Sequence, residues 1–491
     1  MTENYMSRMT DILKPYPAYK DSGVEWLGQV PEHWEVLPGR AVFREINDRG
    51  HPDEQMLSVT ITRGVLRQAD LLANSSKKDS SNEDKSNYKL VQPGDLVYNK
   101  MRAWQGAVGV SAYRGIVSPA YIVQRLRSVE NLPRYMHFLL RTPLFASEAE
   151  RWSYGITSDQ WSLRAEEFKC IYFSLPPLPE QTAIVRFLEW AERKIRRVIR
   201  ARQRRINLLE EYKQALIHQA VTGQIDVRTG QPYPAYKDSG VEWLGKVPAH
   251  WELRKLRALF TKAGSGTTPS GEEFYGSDIP WVVTGDLNDS VLTNTTRAVN
   301  ARALETFSAL RLYPKDSLIV AMYGATIGKT AILGIEACTN QACCVLAEPR
   351  RGVLVRFIQS AVIAAKGYLV RQGYGGGQPN INSEIVHSLR IPVPPYREQT
   401  AIAEYLDAQS AKIDAAISAA RREIELLHEY LERLIVDVVT GKVDVREVAA
   451  RLPEEPPEEE SEWGDTEDMA EAETADDDAA AEALAEEEVE I

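Results

Sequence analysis

Two stretches of the chain carry apolar residues at alternating spacings of three and four, the pattern of a helix with one coiled-coil-like face. The first stretch spans residues 184–220 and the second spans 402–438, at an offset of 218. We predict a helix of about 42 residues, or roughly 63 Å, for each stretch. Their apolar faces, called the helix seam below, comprise Ile184, Leu188, Ile195, Ile199, Ile206, Leu209 and Leu216, and Ile402, Leu406, Ile413, Ile417, Ile424, Leu427, Leu431 and Leu434.

Prolines and glycines predict where these helices begin and end. Gly223 and Gly441 stand where a helix is expected to stop, because glycine tolerates the left-handed conformation of a C-terminal cap. Proline disfavours the helical conformation at the residue before it and lacks an N–H donor, so it bars an earlier start. The prolines concerned are Pro176, Pro177 and Pro179 before the first helix, and Pro392, Pro394 and Pro395 before the second.

Outside the seam, the two helices differ in charge. The first is crowded with basic residues: Arg193, Lys194, Arg196, Arg197, Arg200, Arg202, Arg204 and Arg205. The second carries acidic residues: Glu404, Asp407, Asp414, Glu423, Glu425, Glu429 and Glu432. Opposite charge favours pairing of the two helices with each other, and we expect them to run antiparallel. Contact of the basic face with DNA phosphates is the alternative interpretation.

The chain is an internal duplication. Residues 15–34 and 232–251 are identical at 18 of 20 positions, and the pentapeptide EQTAI occurs at 180–184 and again at 398–402. Internal repeats of this kind indicate that one structural unit occurs twice. We expect Trp34 and Trp251, at the ends of the repeated arms, to anchor those arms in a core.

The stretches between the repeated blocks barely resemble each other. This pattern predicts two divergent domains carried by a repeated helical frame. We expect the repeated frame to bind the same kind of partner at two places. The expected organisation is an N-terminal arm over 1–34, a first variable domain over 35–174, a central helix over 175–231, a repeated arm over 232–251, a second variable domain over 252–392, a C-terminal helix over 393–448 and an acidic tail over 449–491.

The formal net charge of -12 at pH 7 is concentrated at the C-terminus. Residues 452–491 hold 19 Asp and Glu and no Lys or Arg, so residues 1–451 carry 58 basic and 51 acidic residues, a balance of +7. A segment of this composition cannot bury a core, and we expect a disordered, solubilising extension. An autoinhibitory mimic of DNA is the alternative.

The remaining composition favours a protein of the cytoplasm. No apolar run reaches the roughly 20 residues needed to span a bilayer, and the N-terminal residues lack a signal-peptide pattern. The four cysteines show no CxxC spacing and no disulfide framework, which suits a reducing compartment. We expect no contact with a membrane.

The arrangement resembles the specificity subunit of type I restriction-modification enzymes. The similarity covers nearly the whole chain up to about residue 448. It is carried by SGVEWLGQVPEHWEV (22–36) and SGVEWLGKVPAHWEL (239–253), by the helix starts PLPEQTAI and PYREQTAI, and by the VTG closures at 221–223 and 439–441.

The resemblance implies an α+β protein with pseudo-twofold internal duplication. Two mixed α/β target-recognition domains are joined by two long antiparallel coiled-coil helices, and each domain reads one half of a bipartite site in double-stranded DNA. The helices dock two methyltransferase (modification) subunits, through which restriction/translocase subunits join. By this resemblance the chain is non-catalytic and binds no cofactor, while its partners bind AdoMet, ATP and Mg.

Candidate DNA-contacting residues lie in glycine-bearing segments of both variable domains. Glycine allows the backbone to approach a surface closely, and the neighbouring polar side chains suit base edges. In the first domain the candidates are Lys100, Arg102, Trp104 and Gln105, followed by Arg63, Ser158, Asp159 and Gln160. In the second domain they are Thr267, Thr268, Tyr323, Thr326, Lys329, Gln341, Gln378 and Asn380.

Three other motifs do not meet the requirements of the sites they suggest. The segment GATIGKT (324–330) has three residues between its first glycine and GKT, whereas a Walker A loop needs four. Ser118–Tyr121 reads SPAY and lacks the second proline of the SPPY methyltransferase motif. The seven histidines never reach metal-ligand spacing with cysteine, so we predict no zinc site.

Three alternative functions remain. A bilaterally cutting restriction system uses a similar recognition subunit with a fused nuclease-methyltransferase partner. A DNA-modifying enzyme in its own right is disfavoured, because no glycine-rich AdoMet loop follows a strand. A non-DNA-binding coiled-coil scaffold would not need two glycine- and tryptophan-bearing domains.

Overall fold

The structure is a computed structural model that describes residues 13–73, 84–155, 161–374 and 379–453. These residues separate into two compact units. Unit 1 comprises residues up to Arg202 together with those from Arg422 onward, and unit 2 comprises Gln203–Arg421. Each unit therefore contains one repeated arm, one variable domain and parts of both long helices.

The arm of unit 1 forms an antiparallel pair of short strands, β1 (Tyr19–Asp21) and β2 (Gln29–Pro31). Strand β3 (Glu35–Pro38) then pairs antiparallel with the last strand of the variable domain, β12 (Tyr172–Leu175). The domain is thus closed at its base by its own first and last segments.

The variable domain of unit 1 is a mixed α/β fold built on a four-stranded antiparallel sheet of order β4-β11-β8-β9. The strands of the whole domain are β4 (Phe43–Ile46), β5 (Leu57–Thr60), β6 (Gly64–Arg67), β7 (Lys89–Val91), β8 (Leu96–Asn99), β9 (Val108–Val110), β10 (Gly115–Val117) and β11 (Tyr121–Leu126). Strands β5 and β6 form one further pair and β7 and β10 another. The helices are α1 (Gly39–Val42), α2 (Gln68–Ala73), α3 (Pro133–Leu140), α4 (Pro143–Arg151) and α5 (Ala165–Phe168).

The central strands of this sheet are buried on both faces. Leu96 and Tyr98 of β8 pack into one apolar cluster, whereas Val97 between them packs into another. Successive side chains of a strand point to opposite faces, so a continuous apolar run serves two cores. The larger cluster also contains residues of both long helices, which joins the domain to the helical part of its unit.

Unit 2 repeats this plan with a different sheet. Strands β13 (Tyr236–Asp238) and β14 (Lys246–Pro248) form its arm, and β15 (Glu252–Lys255) pairs with β24 (Arg390–Val393) at the base. A five-stranded sheet has the order β16-β23-β20-β21-β18, and a three-stranded sheet has the order β19-β17-β22. The strands are β16 (Phe260–Gly264), β17 (Tyr275–Val282), β18 (Ser290–Leu292), β19 (Arg297–Val299), β20 (Leu318–Ala321), β21 (Thr330–Leu333), β22 (Cys338–Thr339) and β23 (Cys343–Pro349).

Helices complete both units. The first long helix, α6, spans Leu178–Thr222, and unit 2 adds α7 (Ala301–Thr306), α8 (Val355–Ala364), α9 (Lys366–Arg371) and α10 (Ser383–Ser388). The second long helix, α11, spans Tyr396–Val439 and is followed by α12 (Arg446–Ala450). Within the described ranges, every helix is either too short or too polar to span a bilayer.

The two long helices have 45 and 44 residues, close to the predicted length. One predicted boundary was wrong: α6 begins at Leu178, so Pro179 lies inside its first turn. Proline is tolerated there because the first N–H groups of a helix have no intrahelical acceptor. Every side chain of the helix seam is buried or half-buried.

Charged pairs link α6 and α11 within each unit. In unit 1, the Arg202 guanidinium donates to the Glu423 carboxylate at 2.6 and 2.9 Å. In unit 2, Lys213 Nζ lies 2.7 Å from Asp414 Oδ1. These contacts support the interhelical interpretation of Arg202, whereas Arg196 pairs with a carboxylate of its own helix.

Candidate nucleic-acid interface

The first turn of α6 buries a carboxylate against the N-terminal arm. Glu180 is 5% exposed, and it accepts hydrogen bonds from Tyr16 Oη at 2.5 Å and Trp34 Nε1 at 2.8 Å. The His33 imidazole lies 2.8 Å away and the Arg446 guanidinium 3.8 Å away. Burial, together with the bond to Glu180, raises the pKa of the Tyr16 hydroxyl. This cluster joins the arm, the helix start and the segment after α11.

Unit 2 contains the same cluster. Glu398 accepts hydrogen bonds from Trp251 Nε1 at 3.0 Å and Tyr233 Oη at 3.2 Å. His250 lies 3.0 Å away and Arg228, which follows α6, lies 3.6 Å away. Each repeat therefore docks its arm on the glutamate at the start of the helix that follows its own variable domain, and an arginine that follows the other long helix lies close to that glutamate.

The glutamine after each of these glutamates holds the variable domain. Both glutamine side chains are 1% exposed. Each accepts a hydrogen bond from a backbone N–H that precedes a domain helix and donates one to the backbone before the long helix. The partners are Leu132 N and Pro176 O for Gln181, and Leu354 N and Pro394 O for Gln399.

The predicted burial of the two arm tryptophans and the predicted glycine stops of both long helices are confirmed. Trp34 and Trp251 are 0% exposed. Gly223 and Gly441 adopt positive φ of 71° and 76°, and a Cβ at Gly223 would collide with Pro248 and Trp251. The roles of the glutamate and glutamine at the helix starts were not predicted, although the repeated EQTAI was the signal that could have revealed them.

In unit 1, the loop between β8 and β9 carries four of the predicted contact residues. Lys100, Arg102 and Trp104 are half-buried there, and Gln105 is exposed. A 3-10 turn spans Ala103–Gln105 and ends at a glycine with positive φ. The loop presents polar and aromatic side chains at the end of a buried strand.

Residues 161–163 pack on this same loop. Leu163 N donates to Lys100 O at 2.8 Å, and the Trp104 and Trp161 rings meet edge to face at 5.6 Å. The predicted contact residues Ser158, Asp159 and Gln160 lie outside the described residues.

Arg63 belongs to a neighbouring loop, between β5 and β6, and is exposed. A half-buried guanidinium links that loop to β9, because Arg141 donates to Ile61 O, Thr62 O and Val108 O at 2.7–2.8 Å. Burial lowers the pKa of Arg141 to about 10. The structure thus places Arg63 and the segment 100–105 on adjacent loops.

In unit 2, the predicted residues cluster in two groups. Thr268 Oγ1 donates to Gln341 Oε1 at 2.7 Å, and Trp281 Nε1 donates to Thr267 O at 3.2 Å. A backbone bond from Met322 to Ala342 links this group to the loop after β20. This first group therefore lies beside the loop after β20, which carries the second group.

The second group is the loop between β20 and β21. Asn380 pairs with Tyr323 through an isolated bridge, and its side chain accepts from Gly324 N at 3.3 Å. Thr326 Oγ1 donates to Tyr323 O, and Lys329 N donates to Thr326 O. Gln378, predicted to belong here, lies outside the described residues.

The GATIGKT segment forms part of this loop and has no resemblance to a phosphate cradle. Thr330, at the position of the magnesium-binding hydroxyl in a Walker A loop, is 0% exposed and donates to Asp289 Oδ1 at 2.9 Å. Across the described ranges, no group of three or more His, Cys, Asp or Glu side chains is placed to hold a metal ion.

Comparisons with known proteins agree with this arrangement. Residues 248–426 match the sequence profile of the family described as "Type I restriction modification DNA specificity domain". A Methanocaldococcus jannaschii protein, whose name assigns it to the type I restriction enzyme MjaX as specificity subunit, is 22% identical over 439 residues, which cover 86% of this chain and 96% of that protein.

Two further likenesses are shorter or structural. The EcoR124I/EcoR124II specificity subunit of Escherichia coli is 25% identical over 219 residues, which cover 43% of this chain and 53% of that subunit. A solved chain, reported under assembly and conformational transition of the type I R-M system, matches with a TM-score of 0.63 and 16% identity over 84% of this chain and 99% of that one. At that identity the likeness concerns the fold.

Proposed function

We propose that this chain is a non-catalytic specificity subunit of a type I restriction-modification system and that its two variable domains each read one half of a bipartite DNA site. The observation that carries this proposal is the pair of matched clusters around Glu180 and Glu398. The same arm and helix start hold two domains whose loops carry different side chains. A frame that repeats while its domains diverge suits one kind of partner protein and two different base sequences.

The loops that we propose to face DNA are those described above. In unit 1 they are the β5–β6 loop, the β8–β9 loop and the segment that returns beside it. In unit 2 they are the Thr268–Gln341 group and the β20–β21 loop with Asn380. Arginine and lysine can donate to guanine, and glutamine and asparagine can bond adenine, in the major groove. Each wrong base pair would then cost about 1–3 kcal/mol.

The long helices set the distance between the two half-sites in this proposal. We infer that α6 and α11 pack antiparallel as a coiled coil and hold the two domains at opposite ends. The charged pairs between the helices and the burial of the helix seam support this packing. Two domains held at a fixed distance convert two weak contacts into one tight one when both engage.

The partners and cofactors follow from the same proposal. Two methyltransferase subunits dock on the repeated helical frame, and restriction/translocase subunits join through them. AdoMet, ATP and Mg belong to those subunits, and the chain acts in the cytoplasm. The alternative, a bilaterally cutting system, would differ in having a fused nuclease-methyltransferase partner. A neighbouring methyltransferase gene that lacks a fused nuclease would favour the type I system.

Lengthening both helices tests the proposal. Seven residues inserted near 199–206 of α6, and seven at the matched positions of α11, would add about 10 Å, the rise of about three base pairs. Sequencing the methylated positions of a host that carries this variant should reveal the original half-sites with a longer spacer. Altered half-sites with an unchanged spacer would refute the assignment of base recognition to the variable domains.

A further inference from the structure

Beside the candidate DNA-reading loops, each variable domain exposes a tyrosine just after one of its helices. Tyr154 in unit 1 is 59% exposed and Tyr374 in unit 2 is 57% exposed. Neither residue belongs to the candidate contact residues derived from the sequence. Large aromatic rings are more often buried, so two rings exposed to the same degree at similar places call for an explanation.

The two tyrosines occupy equivalent positions in the fold. Each stands three residues after the end of a helix, Arg151 of α4 or Arg371 of α9. Each exchanges a pair of backbone hydrogen bonds with the returning chain, Tyr154 with Ser162 and Tyr374 with Asn380. The residue after that partner then donates its N–H to the loop after the central strand, Leu163 to Lys100 and Ile381 to Met322.

The shared arm is tied to the helix that precedes each tyrosine. Arg151 lies 3.7 Å from Glu25, and Arg371 lies 3.4 Å from Glu242. These two glutamates occupy the same position in the repeated arms, at an offset of 217. The arm and the tyrosine are therefore related in the same way in both units, although the surrounding domain sequences differ.

We propose that Tyr154 and Tyr374 each pack their ring against DNA in their own half-site and contribute affinity that does not depend on the base sequence. The inference rests on the proposed function and deepens it. A ring kept at one position in two domains that read different bases suits a feature common to all duplexes. Every deoxyribose along a duplex presents the same apolar carbon surface, so packing of a ring against it tolerates any base sequence.

Substitution of both tyrosines in the full chain, assembled with the modification subunits of its host, tests this proposal. The probes are a duplex that carries the methylated sequence of the host genome and a scrambled duplex, at one fixed salt concentration. We expect Tyr154→Ala or Tyr374→Ala to weaken binding to both probes by about tenfold, and the double variant by about a hundredfold. The Phe variants should stay within about threefold of wild type, because the ring is retained.

Matched controls separate a DNA contact from a general defect. Tyr172, which is 39% exposed on β12, lies outside the proposed interface, and Tyr172→Ala should bind both probes like wild type. A photoreactive benzoylphenylalanine at position 154 or 374 should crosslink to the duplex, whereas the same group at 172 should not. The crosslink does not depend on how well an alanine variant folds.

Three results would overturn the proposal. The first is binding of both probes by the alanine variants within twofold of wild type. The second is an absence of crosslinks from both positions. The third is a change in the bases of the site that is methylated by a complex carrying the alanine variants. Each of these leaves the proposed function intact if wild type prefers the methylated sequence. A wild-type complex that binds both probes equally would instead contradict the proposed function.

Discussion

The cluster around Glu180 provides a sharp test of how the arm is held. Glu180→Ala removes the acceptor of Tyr16 Oη and Trp34 Nε1, whose side chains are 3% and 0% exposed. A buried donor without an acceptor costs about 1–3 kcal/mol, so the two donors together destabilise the docked arm by about 2–6 kcal/mol. His33 and Arg446 are half-exposed and add little.

Hydrogen exchange of the full-length variant measures this loss locally. Each 1.4 kcal/mol corresponds to a factor of ten, so protection of backbone amides in residues 13–38 should fall by about 30-fold or more. The nearly identical arm of unit 2, residues 230–255, serves as the internal control, since its own cluster is untouched. Glu398→Ala should reverse the pattern.

Two outcomes would refute the reasoning about this cluster. The first is protection of residues 13–38 within threefold of wild type in Glu180→Ala. The second is an equal loss in both arms, which would indicate a general destabilisation instead of the release of one arm.

Three further predictions concern stability. Burial lowers the pKa of Lys89 to about 8, against about 10.5 in the unfolded chain, so the unfolded state binds more protons between those values. The contribution of Lys89 to the free energy of unfolding should therefore rise by up to about 3 kcal/mol from pH 8 to 10.5, which denaturant titrations measure. Lys89→Met should lack this rise, and a variant that shows the same rise as wild type would contradict the reasoning. Phe187→Ala should lower the free energy of unfolding by about 3–5 kcal/mol, because the Phe187 side chain is 0% exposed. Val129→Ala is the control, since Val129 is 94% exposed and its truncation should change the free energy of unfolding by less than about 0.5 kcal/mol. Glu423→Arg should lower the stability of the helix pair by about 1 kcal/mol, because it places two positive charges together. Adding Arg202→Glu should restore that stability by re-forming the ion pair with exchanged charges. A double-mutant cycle that shows no coupling between the two positions would exclude the ion pair.

The long helices could be predicted because their periodicity is a local property of the sequence. Residues three and four apart share a face whatever lies around them, and the positions of the terminal glycines follow from backbone geometry. Pro179 misled the prediction of the first boundary, because the first turn of a helix lacks the hydrogen bond that proline cannot make.

The clusters at the helix starts could not be predicted, since their partners are far apart in the chain. Glu180 bonds residues 146 and 164 positions away, and the duplication revealed only that the segment recurs. The equivalence of Tyr154 and Tyr374 is hidden for another reason. The bridge partner follows eight residues later in one domain and six in the other, so no single offset aligns them.

Replacing residues 252–392 with a second copy of 35–174 tests the central claim most directly. The matched clusters at Glu180 and Glu398 should accept the same domain in either position. Sequencing the methylated sites of a host with this variant should then reveal one half-site occurring twice, in inverted orientation. Retention of the original bipartite sequence would contradict the account, because base recognition would then lie outside the two variable domains.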